Sequence, residues 1–323
     1  MSIRRILLST IMIIAGVNAF AQDDNTAEES NWKELVTLDF GFTNTSLSNW
    51  AAGGYNTVQF NFGFDVKADY AKDLTSWNNR LQLQYGFLVS GDKPGIAQKT
   101  NDLVYLESKW GYNLAEGSKW RYTASYDFRS QFTDSYKYGN PKEGIVDPKK
   151  ADDYIRTLQS GLFSPAYTNI ALGIEWKPCD HFDMNFAPLT GGFTICSIPE
   201  LRKQYGMELK DENIPDVFRS ARFQFGAQLK ANADFSIKDN FKFETQLVLF
   251  SDYLNHPKNL RVNWDNKISW QLTKLFKIAF NSWMIYDPIV LIPDSAHPEG
   301  IQKVQWKEYL AFTVTYSFNP KSR

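Results

Sequence analysis

The chain has 323 residues, with 35 Lys and Arg against 36 Asp and Glu, for a formal net charge of −1. That balance argues against a dedicated nucleic-acid partner, and none is expected. Mean hydropathy is −0.40 although aromatics make up 15% of the residues, a combination that suits a β-barrel showing lipid only every second side chain.

The N-terminus reads as an export signal. Arg4 and Arg5 form a basic start, residues 6–17 are apolar, and Ala19-Phe20-Ala21 supply small residues before Gln22. Residues 1–21 are therefore expected to be a cleaved signal peptide, followed by a short periplasmic segment, 22–35. After it, no run of about 18 apolar residues occurs, so a helical membrane span is excluded. No Pro/Gly/Ser-rich linker divides the rest. Residues 36–318 are read as one outer-membrane barrel and 319–323 as a C-terminal tail.

Twelve stretches alternate apolar and polar residues with the period of a strand. They are 36–47, 57–70, 79–90, 102–112, 120–132, 165–176, 182–195, 221–235, 241–250, 260–272, 276–286 and 303–318. In the second, Val58, Phe60, Phe62, Phe64 and Val66 alternate with Gln59, Asn61, Gly63, Asp65 and Lys67. The last is the most regular. From Trp306 its even positions are Trp, Glu, Leu, Phe, Val, Tyr and Phe, and its odd positions are polar or small. Each stretch can cross a bilayer at a tilt, which takes about 9–11 residues. The predicted fold class is all-β: a transmembrane antiparallel barrel of about 12 strands. Phe60, Phe62, Phe64, Leu81, Leu83, Leu247, Leu249, Phe312 and Val314 should face lipid. Gln59, Asn61, Gln82, Gln84, Gln246 and Thr313 should face the lumen, because a one-residue slip would reverse the whole set.

The connections sort by parity. Those at 71–78, 113–119, 177–181, 236–240 and 273–275 are short, and 91–101, 133–164, 196–220 and 287–302 are long. Short periplasmic turns opposite long extracellular loops are the outer-membrane pattern. Tyr70, Trp77, Trp120, Trp176, Phe182, Phe235, Phe241, Trp270, Phe276 and Phe318 lie near the short turns, where an aromatic girdle belongs. Within the long loops, Asp147-Pro148 with Tyr154, Ile155 and Leu158 predicts a short helix ending at Gly161, and Pro199–Tyr205 predicts another. Either could form a lid over the mouth.

Alternation turns a charged set inward: Asp65, Lys67, Arg80, Arg121, Asp127, Arg129, Glu175, Asp183, Lys230, Asp234, Lys242, Glu244, Arg261, Asp265, Lys267 and Lys277. Two readings stay open. The set lines a pore and tunes its ion preference, or it pairs into ladders that fill a narrow interior. In the filled case, pairing is expected chiefly among Lys242, Glu244, Arg261, Asp265, Lys267 and Lys277. Catalysis finds little support. The histidines are His181, His256 and His297, and only His256 with Ser251 could suggest a lipid hydrolase. No cofactor and no metal are expected; Asp211-Glu212-Asn213 and Asp152-Asp153 read as solvated loop charge. Cys179 and Cys196 are expected to be unpaired, because a strand separates them.

Three short motifs carry a resemblance: Trp50-x-x-Gly53-Gly54-x-Asn56, Ser164-Pro165-Ala166-Tyr167 and Pro188-Leu-Thr-Gly-Gly192. On these the chain resembles a family of outer-membrane barrels of unknown function from Bacteroidetes-type bacteria. The resemblance implies a barrel in the outer membrane and transfers no site residues. The expected function is a narrow channel or binding barrel for a small solute. The alternative is a non-catalytic accessory subunit of a larger outer-membrane complex. The partners expected are outer-membrane lipid and, in the second case, other outer-membrane proteins.

Overall fold

The computed structural model describes residues 30–45, 57–145, 149–211, 213–238, 240–255, 257–292, 296–297 and 300–318. The expected signal peptide and most of the 22–35 segment, the 319–323 tail, the Trp50–Asn56 motif, Asp147-Pro148, Glu212 and His256 lie outside the described residues. The strands are β1 (Trp32–Thr45), β2 (Thr57–Lys72), β3 (Thr75–Ser90), β4 (Gln98–Asn113), β5 (Trp120–Ser130), β6 (Ser135–Pro141), β7 (Tyr154–Ser160) and β8 (Ala166–Cys179). They continue as β9 (Phe182–Ile195), β10 (Ala221–Lys238), β11 (Phe241–Asp252), β12 (Leu260–Gln271), β13 (Phe276–Tyr286), β14 (Leu291–Ile292), β15 (Ile301–Gln302) and β16 (Gln305–Phe318).

Twelve of these close into an antiparallel barrel in the order β1-β16-β13-β12-β11-β10-β9-β8-β5-β4-β3-β2. All twelve expected stretches are barrel strands, their ends moved by four residues at most, as from 79 to Thr75 in β3. First and last strands meet as expected, with Val36 opposite Phe318 and Gly41 opposite Thr313. Closure leaves no unpaired edge in a medium that cannot hydrogen-bond it. A 14-residue strand such as β16, tilted at about 40°, rises about 35 Å, more than the apolar band of about 25 Å needs.

The outer wall is apolar. Leu38, Phe40, Phe62, Trp110, Ile170, Phe186, Phe223, Trp264, Leu310, Phe312 and Val314 are all exposed, which a water-facing wall would not sustain. Phe60 stacks on this wall against Phe40, Phe42 and Phe87 at 5.3–6.3 Å. The girdle forms near the short turns. Trp32 meets Tyr70 and Trp77, and Trp176 packs on Trp120 and Phe182. Trp77, Trp120, Phe235, Trp270 and Phe276 all face outward.

The long loops are structured. The expected helix up to Gly161 is a correction: its described part is a 3-10 turn, Ala151–Asp153, followed by β7, which pairs with β6. Tyr154, Ile155 and Thr157 favour a strand, and Tyr136 and Tyr138 on β6 supply the partner. The helix expected at Pro199–Tyr205 shrinks to a 3-10 turn, Pro199–Leu201, followed by turns. β14 and β15 pair within the loop between β13 and β16.

Candidate functional site in the barrel interior

Side chains on strands far apart round the ring can touch only through the interior, and several do. Lys230 on β10 donates to Glu107 Oε1 on β4 at 2.6 Å, although three strands lie between them. The Arg129 guanidinium of β5 lies 4.1 Å from the ring centre of Trp283 on β13, half the barrel away. Lys307 of β16 reaches the Thr100 carbonyl and Asn101 Oδ1 on β4 at 3.1 and 3.2 Å. Lys277 of β13 reaches Asp39 of β1 at 3.1 Å.

These contacts fix the cross-section. Twelve strands about 4.8 Å apart and tilted at about 40° would make a circular barrel roughly 24 Å across between backbones. Four strands apart on such a circle, β4 and β10 would stand about 21 Å from each other; extended Lys and Glu side chains reach roughly 6 and 5 Å, so a 2.6 Å bond brings them within about 14 Å. The barrel is therefore flattened at mid-height, and wall side chains bridge it.

A second cluster lies toward the short turns. Glu175 on β8 is fully buried and takes both Lys109 Nζ, at 2.5 Å, and Arg121. Two cations on one carboxylate offset the desolvation that a lone buried charge would suffer. Tyr105 Oη donates to Glu107 Oε2 at 2.8 Å, tying this face of β4 to the central bridge.

The other inward residues expected from sequence find local partners. Asp65 takes Arg80 at 2.6 Å. Asp127 accepts from Asn169, and Asp183 accepts from Asn232, each at 2.8 Å. Lys242 joins Asp234 and Glu244 at 3.4 and 3.0 Å, while Lys267 stands 4.0 Å from Glu244. Arg261 Nε lies 2.9 Å from Asp287. Lys67 stands opposite Arg80, and Asp265 opposite Gln246 and Trp283; neither forms an ion pair among the described residues. Thus pairing does occur around Glu244, but those groups are half-exposed. The buried bridges lie instead between β4, β5, β8, β10 and β13.

Sequence reasoning missed Glu107, Lys109, Trp283, Arg222 and Asp39. The signal for the first two was present: Tyr105, Glu107 and Lys109 alternate with Leu106, Ser108 and Trp110, but Ser108 blurs the apolar face. Ser108 points outward all the same, accepting from Trp77 Nε1 at 2.8 Å. Trp283 carried no such signal. Its indole N–H donates to Asn263, which satisfies the one polar atom of an otherwise apolar ring inside the lumen.

At the long-loop end of the barrel, residues 196–211 and 213–220 fold inward as a lid. Cys196, Leu201 and Met207 form a buried cluster with Leu158, Ile198, Tyr205 and Phe218 around it. Arg202 donates to the carbonyls of Cys196, Ser197 and Phe218 at 3.0–3.1 Å, and Tyr205 Oη to the Gln159 carbonyl at 3.0 Å. Ser164 is fully buried and bonds Ser197 Oγ and the Ile198 N–H, each at 2.9 Å, so the 164–167 motif anchors this lid. In the 188–192 motif a Cβ on Gly192 would fall 2.1 Å from the Thr168 carbonyl, so only glycine permits that approach of β9 to β8.

The catalytic and metal candidates do not assemble. His181 sits in a short turn 4.0 Å from Asp234, and Ser251 Oγ donates to the Pro257 carbonyl. Asp153 accepts the N–H groups of Lys149 and Lys150, and Asp152 pairs with Arg156. Asp211 caps Asn213. Among the described residues no His, Cys, Asp and Glu group has a metal-binding arrangement. Cys179 is exposed, Cys196 is buried, and both are free.

Residues 42–136 match the family described as "Protein of unknown function (DUF3078)". The match includes the 50–56 motif and ends within β6. No curated protein matches the sequence. Among solved structures, the chain is similar to an outer membrane channel from Pseudomonas putida F1, at 10% identity and a TM-score of 0.38, covering 92% of this chain and 100% of that one. It is also similar to the translocator domain of the autotransporter NalP from Neisseria meningitidis (9%, TM-score 0.36, 96% of each chain). A third is the Pseudomonas putida toluene transporter TodX (10%, TM-score 0.33, 91% of this chain and 90% of that one). None of these carries a solute or a partner over to this chain.

Proposed function

We propose that this protein is an outer-membrane barrel, held closed at rest by its own charged side chains, that binds or passes a small solute entering from the extracellular mouth. The observation that carries this reading is the Lys230–Glu107 bridge, 2.6 Å long, between walls that a wide pore would keep apart. A general diffusion pore needs a continuous water column, and a bridge at mid-height interrupts one. The outer location rests on the expected export signal, the sorting of loops by length and the apolar wall. In this reading the barrel is not an enzyme.

Purified protein in a planar bilayer tests it. Wild type should show near-zero steady conductance with brief openings. The double variant Glu107→Gln/Lys230→Met, which removes the bridge without leaving either charge alone, should open more often and for longer. A wild type with a large, steady, ohmic conductance would refute closure.

An accessory role is favoured by one separate feature. An outer-wall depression of about 520 Å³, lined by Leu38, Phe40, Phe62, Phe64, Tyr85 and Tyr316 among others, offers a shaped apolar surface to a neighbour in the membrane. Co-purification from native membranes in mild detergent is the check on that role.

A further inference from the structure

We infer that the barrel interior beneath the lid is an anion site in which Arg222, with Arg129 on the same register row and Arg261 on the neighbouring face, takes the carboxylate or phosphate group of a small solute in place of the lid's Gly206 carbonyl. This rests on the reading of the barrel as a solute-binding one.

Arg222 is the group that demands explanation. It is 4% exposed, and its Nε has no hydrogen-bond partner. Among the described residues its one hydrogen bond runs from Nη1 to the Gly206 carbonyl, at 2.7 Å. No carboxylate among the described residues pairs with it. Asp287 is engaged by Arg261, and Asp252 accepts from Gln224 Nε2 and the Leu254 N–H. A guanidinium carries five donors in a planar fork, and leaving the buried Nε–H of Arg222 unpaired is unfavourable unless an anion completes the arrangement.

The surroundings concentrate positive charge. Arg222, Thr194, Tyr167 and Arg129 stand in one register row across β10, β9, β8 and β5, and Arg261 Nη1 lies 3.5 Å from Gln224 Oε1, two positions from Arg222 on the same face of β10. The Arg129 guanidinium carbon lies 4.1 Å from the Trp283 ring centre, which turns this cation into the interior as well. A planar carboxylate or a phosphate matches such forks through two parallel hydrogen bonds.

Gly206 makes the lid fit this role. Its φ is +65°, and a Cβ there would lie 2.2 Å from Ile289 Cγ2. Glycine alone lets the chain bend so that a backbone carbonyl, a weak stand-in for an anion, sits on Arg222. An entering anion would compete with that carbonyl and free the turn around residue 206.

Isothermal titration of the full-length protein, folded in detergent at low salt, tests the site with sodium phosphate and sodium succinate. Glucose serves as the neutral control. At least one anion should bind saturably in the millimolar range or tighter and glucose should not. Arg222→Gln should weaken binding about tenfold or more, the loss expected for a charge-assisted pair. Arg222→Lys, which keeps the charge and loses the fork, should fall between the two. Gly206→Ala, which drives the carbonyl away, should bind the anion more tightly. No saturable binding of either anion by folded wild type, or equal affinity in Arg222→Gln, would overturn the proposal. Conductance of the same samples separates the two readings. Anion binding by a steadily open pore would defeat closure and keep the site, whereas a closed barrel indifferent to both anions would defeat the site alone.

Discussion

At the scale of single residues, the interior is governed by where carboxylates are buried. Glu175 faces Lys109 and Arg121 with no exposure of its own, whereas Glu244 is half-exposed between Lys242 and Lys267. Glu175→Gln leaves two cations facing a neutral amide and should destabilise the barrel by about 3–5 kcal/mol. Glu244→Gln should cost about 1 kcal/mol or less, because water screens its partners. Urea titrations of protein refolded into vesicles would measure both, and equal losses would contradict the burial argument. The sequence displayed the charges but not their depth. Alternation assigns a face, whereas burial depends on which strands approach across the lumen, and that is a tertiary property.

At the scale of elements, most of the barrel was legible. The strand period alone located all twelve strands and assigned which face of each meets lipid, because one apolar face must do so throughout. On β11, Leu247 lies opposite the outward Trp264, while Gln246 Nε2 donates to Asn232 inside. Leu247→Arg near mid-span should cost about 2–4 kcal/mol, and Gln246→Ala much less; similar losses in a folding titration would refute the orientation. The loops were harder to read. Tyr154, Ile155 and Leu158 satisfy a helical spacing as well as a strand's, and what decides for β7 is β6, a partner brought from 13 or more residues upstream. The lid gives a chemical handle on its own opening. Burial pushes the Cys196 thiol upward, against a hydrogen bond from Ser164 and the nearby Arg202 charge that pull it down. The thiol therefore stays protonated, and iodoacetamide at neutral pH should label exposed Cys179 quickly and Cys196 slowly. Raising the pH should speed Cys196 only above the ordinary thiol range. Mass spectrometry of the two peptides reads the ratio, and equal rates at neutral pH would mean that the lid is open in solution.

At the scale of the whole molecule, the flattened section brings walls of the twelve-stranded ring close enough for their own side chains to bridge the lumen. Long side chains from facing walls span the narrow axis, as Arg129 does with Trp283. Nothing in a single strand announces this: Arg129 and Trp283 lie 154 positions apart, and only Arg129 reads from sequence as an inward residue. The narrow lumen was one of two readings that composition allowed, and the cross-lumen contacts are what favour it.

The joining of β1 to β16 has a further consequence for how the protein comes to exist. Val36 and Phe318 pair across 282 intervening steps of chain, yet closure entropy grows only logarithmically, so the length itself adds little: each doubling costs about 0.6 kcal/mol. The constraint is one of order in time. Until the last strand arrives, both β1 and β13 present bare amides and carbonyls to hydrocarbon, and no shorter ring is available to satisfy them. Closure of the ring therefore waits on β16, whose fourteen residues supply the partner that the free edges of both β1 and β13 lack.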